Sequence, residues 1–353
     1  MNYREALHIL YHINVPFTHS LTHSLTHCLT HSVYLLLEYF FSNSHTDTYP
    51  LIMAMAPYCV VLFYKYTHVP CDALDKVVMI LTEYTEENKL KGRILIAEEG
   101  INGTIAGCED NVKKFTEYLP TLESCNFIGI DWKFSYGEGD LPFVDMFIKQ
   151  SKELISTGEA KGLIQQHSRF DPESFGGIGG TGTHLSPSEF HAALECDPKA
   201  VVLDIRNDFE YDIGHFQGAL SMKTNTFSET WNRLDGIISE LNEEQSSDKS
   251  STKSTSDETS SSLPANDRNY YMYCTGGIRC EKASVYLKAK GLDNVFQLQG
   301  GIHRYLEEFP DTNKKFLGRN FVFDSRMIDK SKSDTHNVPV AERQSEGAPM
   351  TDT

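Results

Sequence analysis

Between Tyr58 and Tyr66 the chain reads YCVVLFYKY, a run of β-branched and aromatic residues that predicts a buried strand. From Asp72 to about Glu87 apolar residues recur at three- and four-residue spacing, which predicts an amphipathic helix. GRILIAEEGINGTIAG (Gly92–Gly107) holds two apolar runs around a Gly- and Asn-containing segment, and predicts a hairpin with Asn102 in its turn. CEDNVKKFTEYL predicts a short helix whose early acids suit the helix dipole. FIGIDWKFSYG and FVDMFIKQ supply further strands. The order β-α-β-β-α-β predicts a ferredoxin-like α+β domain over residues 57–157.

The pattern then changes. Residues 158–184 are expected to be a Gly-rich linker, ending in SFGGIGGTGTH. From Leu185 to residue 328, AVVLDIR, GHFQGAL, NYYMYC and NVFQLQGG read as strands, alternating with helical stretches such as CEKASVYLKAKG and IHRYLEEF. Alternation of this kind predicts an α/β domain with a parallel sheet. Residues 242–267, rich in Ser and acids, cannot bury enough apolar surface to offset the entropy of ordering and are expected to be a disordered insertion; the tail 329–353 reads the same way.

Residues 1–56 form a low-complexity leader unlike the rest. THSLTHSLTHCLTHS repeats every four residues, so a helix would align His19, His23, His27 and His31 and invite a metal. A translated ACTC repeat would also produce it, with Met53 or Met55 as the true initiator. A targeting leader is weakly supported, because Arg4 is the one early basic residue and Glu38 interrupts VYLLLEYFF.

Composition narrows the field. At 353 residues and 40% hydrophobic content, the chain can fill two cores. The net charge of −17 argues against broad coating of nucleic acid, although a local basic patch remains compatible with it. Eight scattered cysteines without a CxxC pair suggest a reducing compartment, with the cytoplasm as the default and an organelle the alternative if the leader is real. Without a run of about 18 apolar residues, no membrane span is expected.

Chemistry is expected at CTGGIRC. Cys274 sits at the carboxyl end of a parallel strand, where such sheets bind ligands. Gly276 and Gly277 let the loop Thr275–Gly276–Gly277–Ile278–Arg279 curl its amides inward, and Arg279 with the following helix N-terminus adds positive potential. Each effect favours a thiolate, so Cys274 is the expected nucleophile. Cys280 reads either as a packed thiol or as a resolving one. A metal clip lacks local His partners, and no cofactor is identifiable.

LDIRNDFEYDIGHFQGAL followed by CTGGIR resembles a rhodanese domain through Asp204, Arg206, Glu210, Gly214, His215, Gly218, Ala219 and Cys274. Its six-residue Cys-to-Arg loop matches the length that family uses to hold a persulfide; related phosphatases use a loop one residue longer. Asp204, Arg206 and His215 are expected to serve the fold. With VVLFYKY, KGRILIAEEGINGTIAG, GTHLSPSEFH, LKAKGLDNVFQLQGGIHRYLE and FVFDSR in order, residues 58–328 resemble the oxygen-dependent tRNA uridine hydroxylases. That resemblance implies an acylphosphatase-like domain joined to a rhodanese domain. It also implies C5 hydroxylation of the wobble uridine, tRNA as partner, dioxygen as co-substrate and Cys274 as the catalytic residue. Loop chemistry alone equally supports a sulfurtransferase carrying a Cys274 persulfide, and a binding module is the third reading. The first domain departs from a basic RNA-binding surface: residues 56–160 hold ten Lys/Arg against seventeen Asp/Glu. Lys65, Lys91, Arg93 and Lys149 are the leading candidates for contacts to tRNA, with Lys113, Lys114 and Lys133 behind them.

Overall fold

The computed structural model describes residues 57–248, 265–310 and 315–328. The leader, the tail and residues 249–264 of the insertion lie outside the described residues.

The first half contains β1 (Pro57–Tyr66), α1 (Leu74–Glu87), β2 (Lys91–Ala97), β3 (Gly100–Gly107), α2 (Glu109–Tyr118), β4 (Lys133–Glu138) and β5 (Met146–Gln150). The sheet runs β4-β1-β3-β2-β5, with the first four strands antiparallel and β5 added parallel to β2. This is the expected ferredoxin-like arrangement with one extra edge strand. Successive side chains on a strand point to opposite faces. Cys59, Val61 and Phe63 therefore meet Val77, Leu81 and Phe115 of the two helices. Tyr58, Val60, Tyr64 and Tyr66 occupy the other face and are also buried. Burial on both faces explains why β1 is continuously apolar rather than alternating.

The hairpin turn is Glu98–Glu99, not the Asn-Gly pair. Asn102 and Gly103 lie inside β3, opposite Leu95 and Ile94. Gly103 is needed for packing, because an added Cβ would come within 2.7 Å of the Phe63 ring.

The second half contains α3 (Lys161–His167), the short pair β6 (Arg169–Phe170) and β7 (Ile178–Gly179), β8 (Thr183–Leu185), α4 (Pro187–Cys196) and β9 (Ala200–Asp204). It continues with α5 (Asp208–Ile213), β10 (Gly214–Phe216), β11 (Leu220–Ser221), α6 (Thr230–Asp248) and β12 (Asn269–Tyr273). Then come α7 (Ile278–Ala289), β13 (Val295–Leu298), α8 (Gly301–Glu308) and β14 (Phe316–Gly318). Its main sheet is parallel throughout, ordered β11-β9-β12-β13-β8, with β12 central.

Two expectations are corrected here. The linker 158–184 is not a bare connector: Ala160 and Ile164 enter the core around Trp231, and its last residues open the edge strand β8. The expected insertion 242–267 is structured at both ends, since α6 extends to Asp248 and Ala265–Asp267 forms a 3-10 turn. Among the described residues no helix is long and apolar enough to cross a membrane.

α7 is buried from Arg279 to Leu287. One side packs into the core of the parallel-sheet domain through Cys280, Ala283 and Leu287, while Ile278 packs against Tyr64 and Tyr66 of β1. Its buried charges are met across that boundary. Lys282 pairs with Glu99 at 2.5 Å, and Glu281 accepts from Tyr64 at 3.0 Å. The connector closes the seam: Tyr66 N–H donates to the Gly176 carbonyl at 2.9 Å. At Gly177, φ is +86°, and any Cβ would fall on the Tyr66 carbonyl. Gly177→Ala is therefore expected to cost about 1–3 kcal/mol, read as a lower denaturant midpoint.

Candidate active site

Cys274 follows the last residue of the central strand β12, and its loop turns directly into α7. The turn depends on Gly277, whose φ is +106°. That conformation brings the Gly277 N–H to the Cys274 Sγ at 3.1 Å. The loop carbonyls point the other way. Those of Cys274 and Thr275 accept from the Ile302 and His303 amides of α8, at 3.0 and 3.2 Å. With its carbonyls held by α8, the loop presents N–H groups to the sulfur.

Cys274 is fully buried. Burial alone pushes a thiol up, but the Cys280 thiol donating to it, the Arg279 charge and the Arg279 and Cys280 amides outweigh this and bring it down to about 5. Cys280, also fully buried, is pushed up by burial and by donating to that thiolate, so it keeps its proton. The pair holds one proton between two sulfurs at neutral pH. Cys280→Ala, which removes the donor, is expected to raise the pH at which thiolate ultraviolet absorbance appears. No change in that titration would show that the second thiol does not stabilise the first.

Arg279 is itself neutralised. Its Nη1 and Nη2 donate to the two Glu210 carboxylate oxygens at 2.7 and 2.9 Å, and Nη2 also reaches the Thr275 hydroxyl at 3.2 Å. Burial would raise the Glu210 carboxyl, but the Arg279 charge and hydrogen bonds, with Arg206 behind, hold it below the usual carboxylate range. Phe323, 55% exposed, lies with its ring centroid 5.6 Å from the Arg279 guanidinium carbon.

The first domain closes over the loop. A Cβ on Gly276 would meet Leu62 at 2.9 Å, and one on Gly277 would meet the Tyr64 hydroxyl at the same distance. Lys133, 1% exposed, pairs with Asp131 at 2.7 Å and lies over the Tyr64 ring. Asp131 in turn accepts from Arg304 of α8 at 2.6 Å. Two cavities of about 370 Å³ open beside this seam rather than over the sulfur. The first is bounded by Asp131, Ser186 and Arg304, the second by Lys65, Asn126 and Phe170.

Residues 58–154 match the family described as "UPF0176 acylphosphatase like domain", and residues 186–308 match the "Rhodanese-like domain". A tRNA uridine(34) hydroxylase of Rhizobium leguminosarum bv. trifolii (strain WSM2304) is 35% identical over 274 residues, covering 77% of this chain and 74% of that protein. Another from Staphylococcus haemolyticus (strain JCSC1435) is 35% identical over 271 residues, 76% of this chain and 71% of that protein. The chain belongs to the tRNA uridine(34) hydroxylase family. A more distant member, from Teredinibacter turnerae (strain ATCC 39867 / T7901), is 32% identical and covers 77% of this chain and 72% of its own length.

Within this hydroxylase-family fold the expected loop residues Cys274 to Cys280 come together around one sulfur. The four leading candidates for tRNA contact do not. Lys91, Arg93 and Lys149 lie on the β2–β5 side of the first sheet, and Arg93 is tied to Asp145 at 2.7 Å. Lys65 is buried on β1, apart from them. Lys113 pairs with Glu109 on the surface, whereas Lys133 is interior. Asp204 and Arg206 pair with each other at 2.6 Å in full burial, and His215 stacks on Tyr211, so all three brace the fold.

Sequence reasoning missed the roles of Glu210, Tyr64 and Glu281. Glu210 carried a local signal: with Asn207 it forms the capping box of α5. Nothing local marks Glu281, which is fully buried and accepts from Tyr64, His184 and Gln297.

Proposed function

We propose that this chain hydroxylates C5 of uridine 34 in tRNA, with the Cys274 thiolate as the reacting group and dioxygen as co-substrate. Membership of the hydroxylase family carries the assignment. The site supports it chemically. A thiolate held at neutral pH is nucleophilic, and the uracil ring is a neutral electrophile that needs no free cation for binding. Because Glu210 binds both terminal nitrogens of Arg279 and offsets its charge, the loop is better suited to a neutral ring than to a thiosulfate dianion.

Cys280 completes the redox balance. Inserting one atom of dioxygen into the C5–H bond leaves the second atom to be reduced to water by two electrons and two protons. Closing a Cys274–Cys280 disulfide from the thiolate and the thiol releases the two electrons and one proton, and solvent supplies the other proton. One disulfide per 5-hydroxyuridine is expected when the reduced protein turns over once without added reductant. Product formed with all thiols free would remove Cys280 from the reaction. The reaction belongs in the cytoplasm, where these thiols stay reduced between turnovers.

Nucleoside mass spectrometry of tRNA from cells lacking the protein, complemented with the wild type, tests the assignment. Unchanged 5-hydroxyuridine derivatives in both would overturn it. The amide-lined loop could also hold a persulfide, so thiosulfate-to-cyanide transfer is the competing assay. A high rate there, lost in Cys274→Ser, would favour sulfurtransfer.

A further inference from the structure

Four buried cations among the described residues sit with anions. Lys133 has Asp131, Lys282 has Glu99, Arg206 has Asp204 and Arg279 has Glu210. Lys65 breaks the pattern. It is 5% exposed, and no hydrogen bond or ion pair holds its ammonium among the described residues. Glu281 acts on it only as a charge at longer range, and its oxygens already accept from Tyr64, His184 and Gln297. An ammonium largely withdrawn from water, with no counter-charge within hydrogen-bond reach, is costly.

The side chain runs along the wall of the second cavity, of about 370 Å³. Its Cε lies beside Gly177 and its Nζ beside Gly129, both cavity-lining residues with positive φ that leave room around the charge. Thr67, Asn126 and Ser174 add polar atoms to the lining. Phe170, 45% exposed, offers a ring at the edge with His68 beside it at 5.9 Å. A cation at the base, amide and hydroxyl groups on the walls and an aromatic face at the rim suit a phosphate joined to a planar heterocycle.

We infer that the Lys65 cavity is a nucleotide subsite, in which Lys65 takes a phosphate of the tRNA and Phe170 stacks the adjoining base. This rests on tRNA being the substrate. It places the occupant outside the reaction centre, because Lys65 and Tyr64 point to opposite faces of β1 and Tyr64 is the one that touches the Cys274 loop. The site accounts for how an acidic chain grips RNA without a broad basic surface: one largely enclosed lysine facing a cavity replaces a patch.

The test uses the full chain, an anticodon stem-loop RNA, and the variants Lys65→Met and Phe170→Ala. Lys65→Met is expected to weaken RNA binding about tenfold and to lower the slope of log affinity against log salt by about one. Phe170→Ala is expected to weaken binding without changing that slope. Lys65→Arg should retain most of the affinity. Turnover by Lys65→Met at saturating tRNA should match the wild type, with the loss confined to KM. Its melting temperature should stay level or rise, since an unpaired charge is removed. Unchanged RNA affinity and slope in a folded Lys65→Met would overturn the subsite. So would Lys65-dependent binding of uridine monophosphate alongside unaltered RNA binding, which would assign the cavity to free nucleotides. Absent hydroxylation by the wild type, with Lys65-dependent RNA binding intact, would overturn the function instead.

Discussion

Cys274→Ser is expected to lower 5-hydroxyuridine formation by roughly a thousandfold or more while leaving the protein folded. The loop is built for an anion: the Gly277 amide, the neighbouring amides, the Cys280 thiol and the Arg279 charge all converge on one sulfur. A serine hydroxyl stays protonated there, so the donors meet a neutral group and the nucleophile is lost. Stability separates this from misfolding. An unfolded thiol titrates near about 8.5, against about 5 in the fold. A depressed value contributes stability in full above the unfolded value and loses it as pH falls toward 5. The wild type should therefore gain stability over Cys274→Ser between those limits and show little advantage below them. Denaturant midpoints across that range check it; a constant difference would mean that Cys274 is not ionised in the fold.

Glu210→Gln is expected to be the most damaging change away from the sulfur, costing about 3–5 kcal/mol. Glutamine keeps the volume but leaves the buried Arg279 without its counter-charge, in a loop that also lines the thiolate. The freed guanidinium would still attract Cys274, so the thiolate should survive in whatever fraction stays folded. The wild-type pair also sets an acid limit. Glu210 is held below the usual range, so its contribution is present above about pH 4.3 and is lost as pH falls further toward its folded value. Melting temperature against pH should fall below that point in the wild type and be flatter in Glu210→Gln.

Much of this was legible along the chain because its cause is local. β1 announces itself by composition, and the Cys274 loop by a cysteine at a strand end followed by two glycines. What was not legible depends on distant partners. Gly103 looked like half of an Asn-Gly turn, but the Phe63 ring is what requires it. The glycines at 176 and 177 looked like a linker, yet they are small because Glu281 and the Tyr66 carbonyl press against them. Glu210 could be read as a helix cap, but not as the partner of an arginine 69 residues later. Lys65 looked like one surface lysine among several, since neither its burial nor its missing partner is written in its neighbours.

The covered face of β1 has a cost that arises before the protein is complete. Tyr64 meets Glu281 across 217 residues of chain. At ribosomal speeds of about 5–20 residues per second, the roughly 130 residues from Gln150 to Ile278 leave the finished first domain waiting roughly six to twenty-six seconds for α7. During that interval Tyr64 and Tyr66 present an unclaimed aromatic surface to the cell, whereas Tyr58 and Val60 are already covered by Leu141 and Phe143 of the same domain. The nascent chain is thus most prone to aggregate after half of it has folded correctly, and a chaperone that shields this face would act between the two domains rather than on either one.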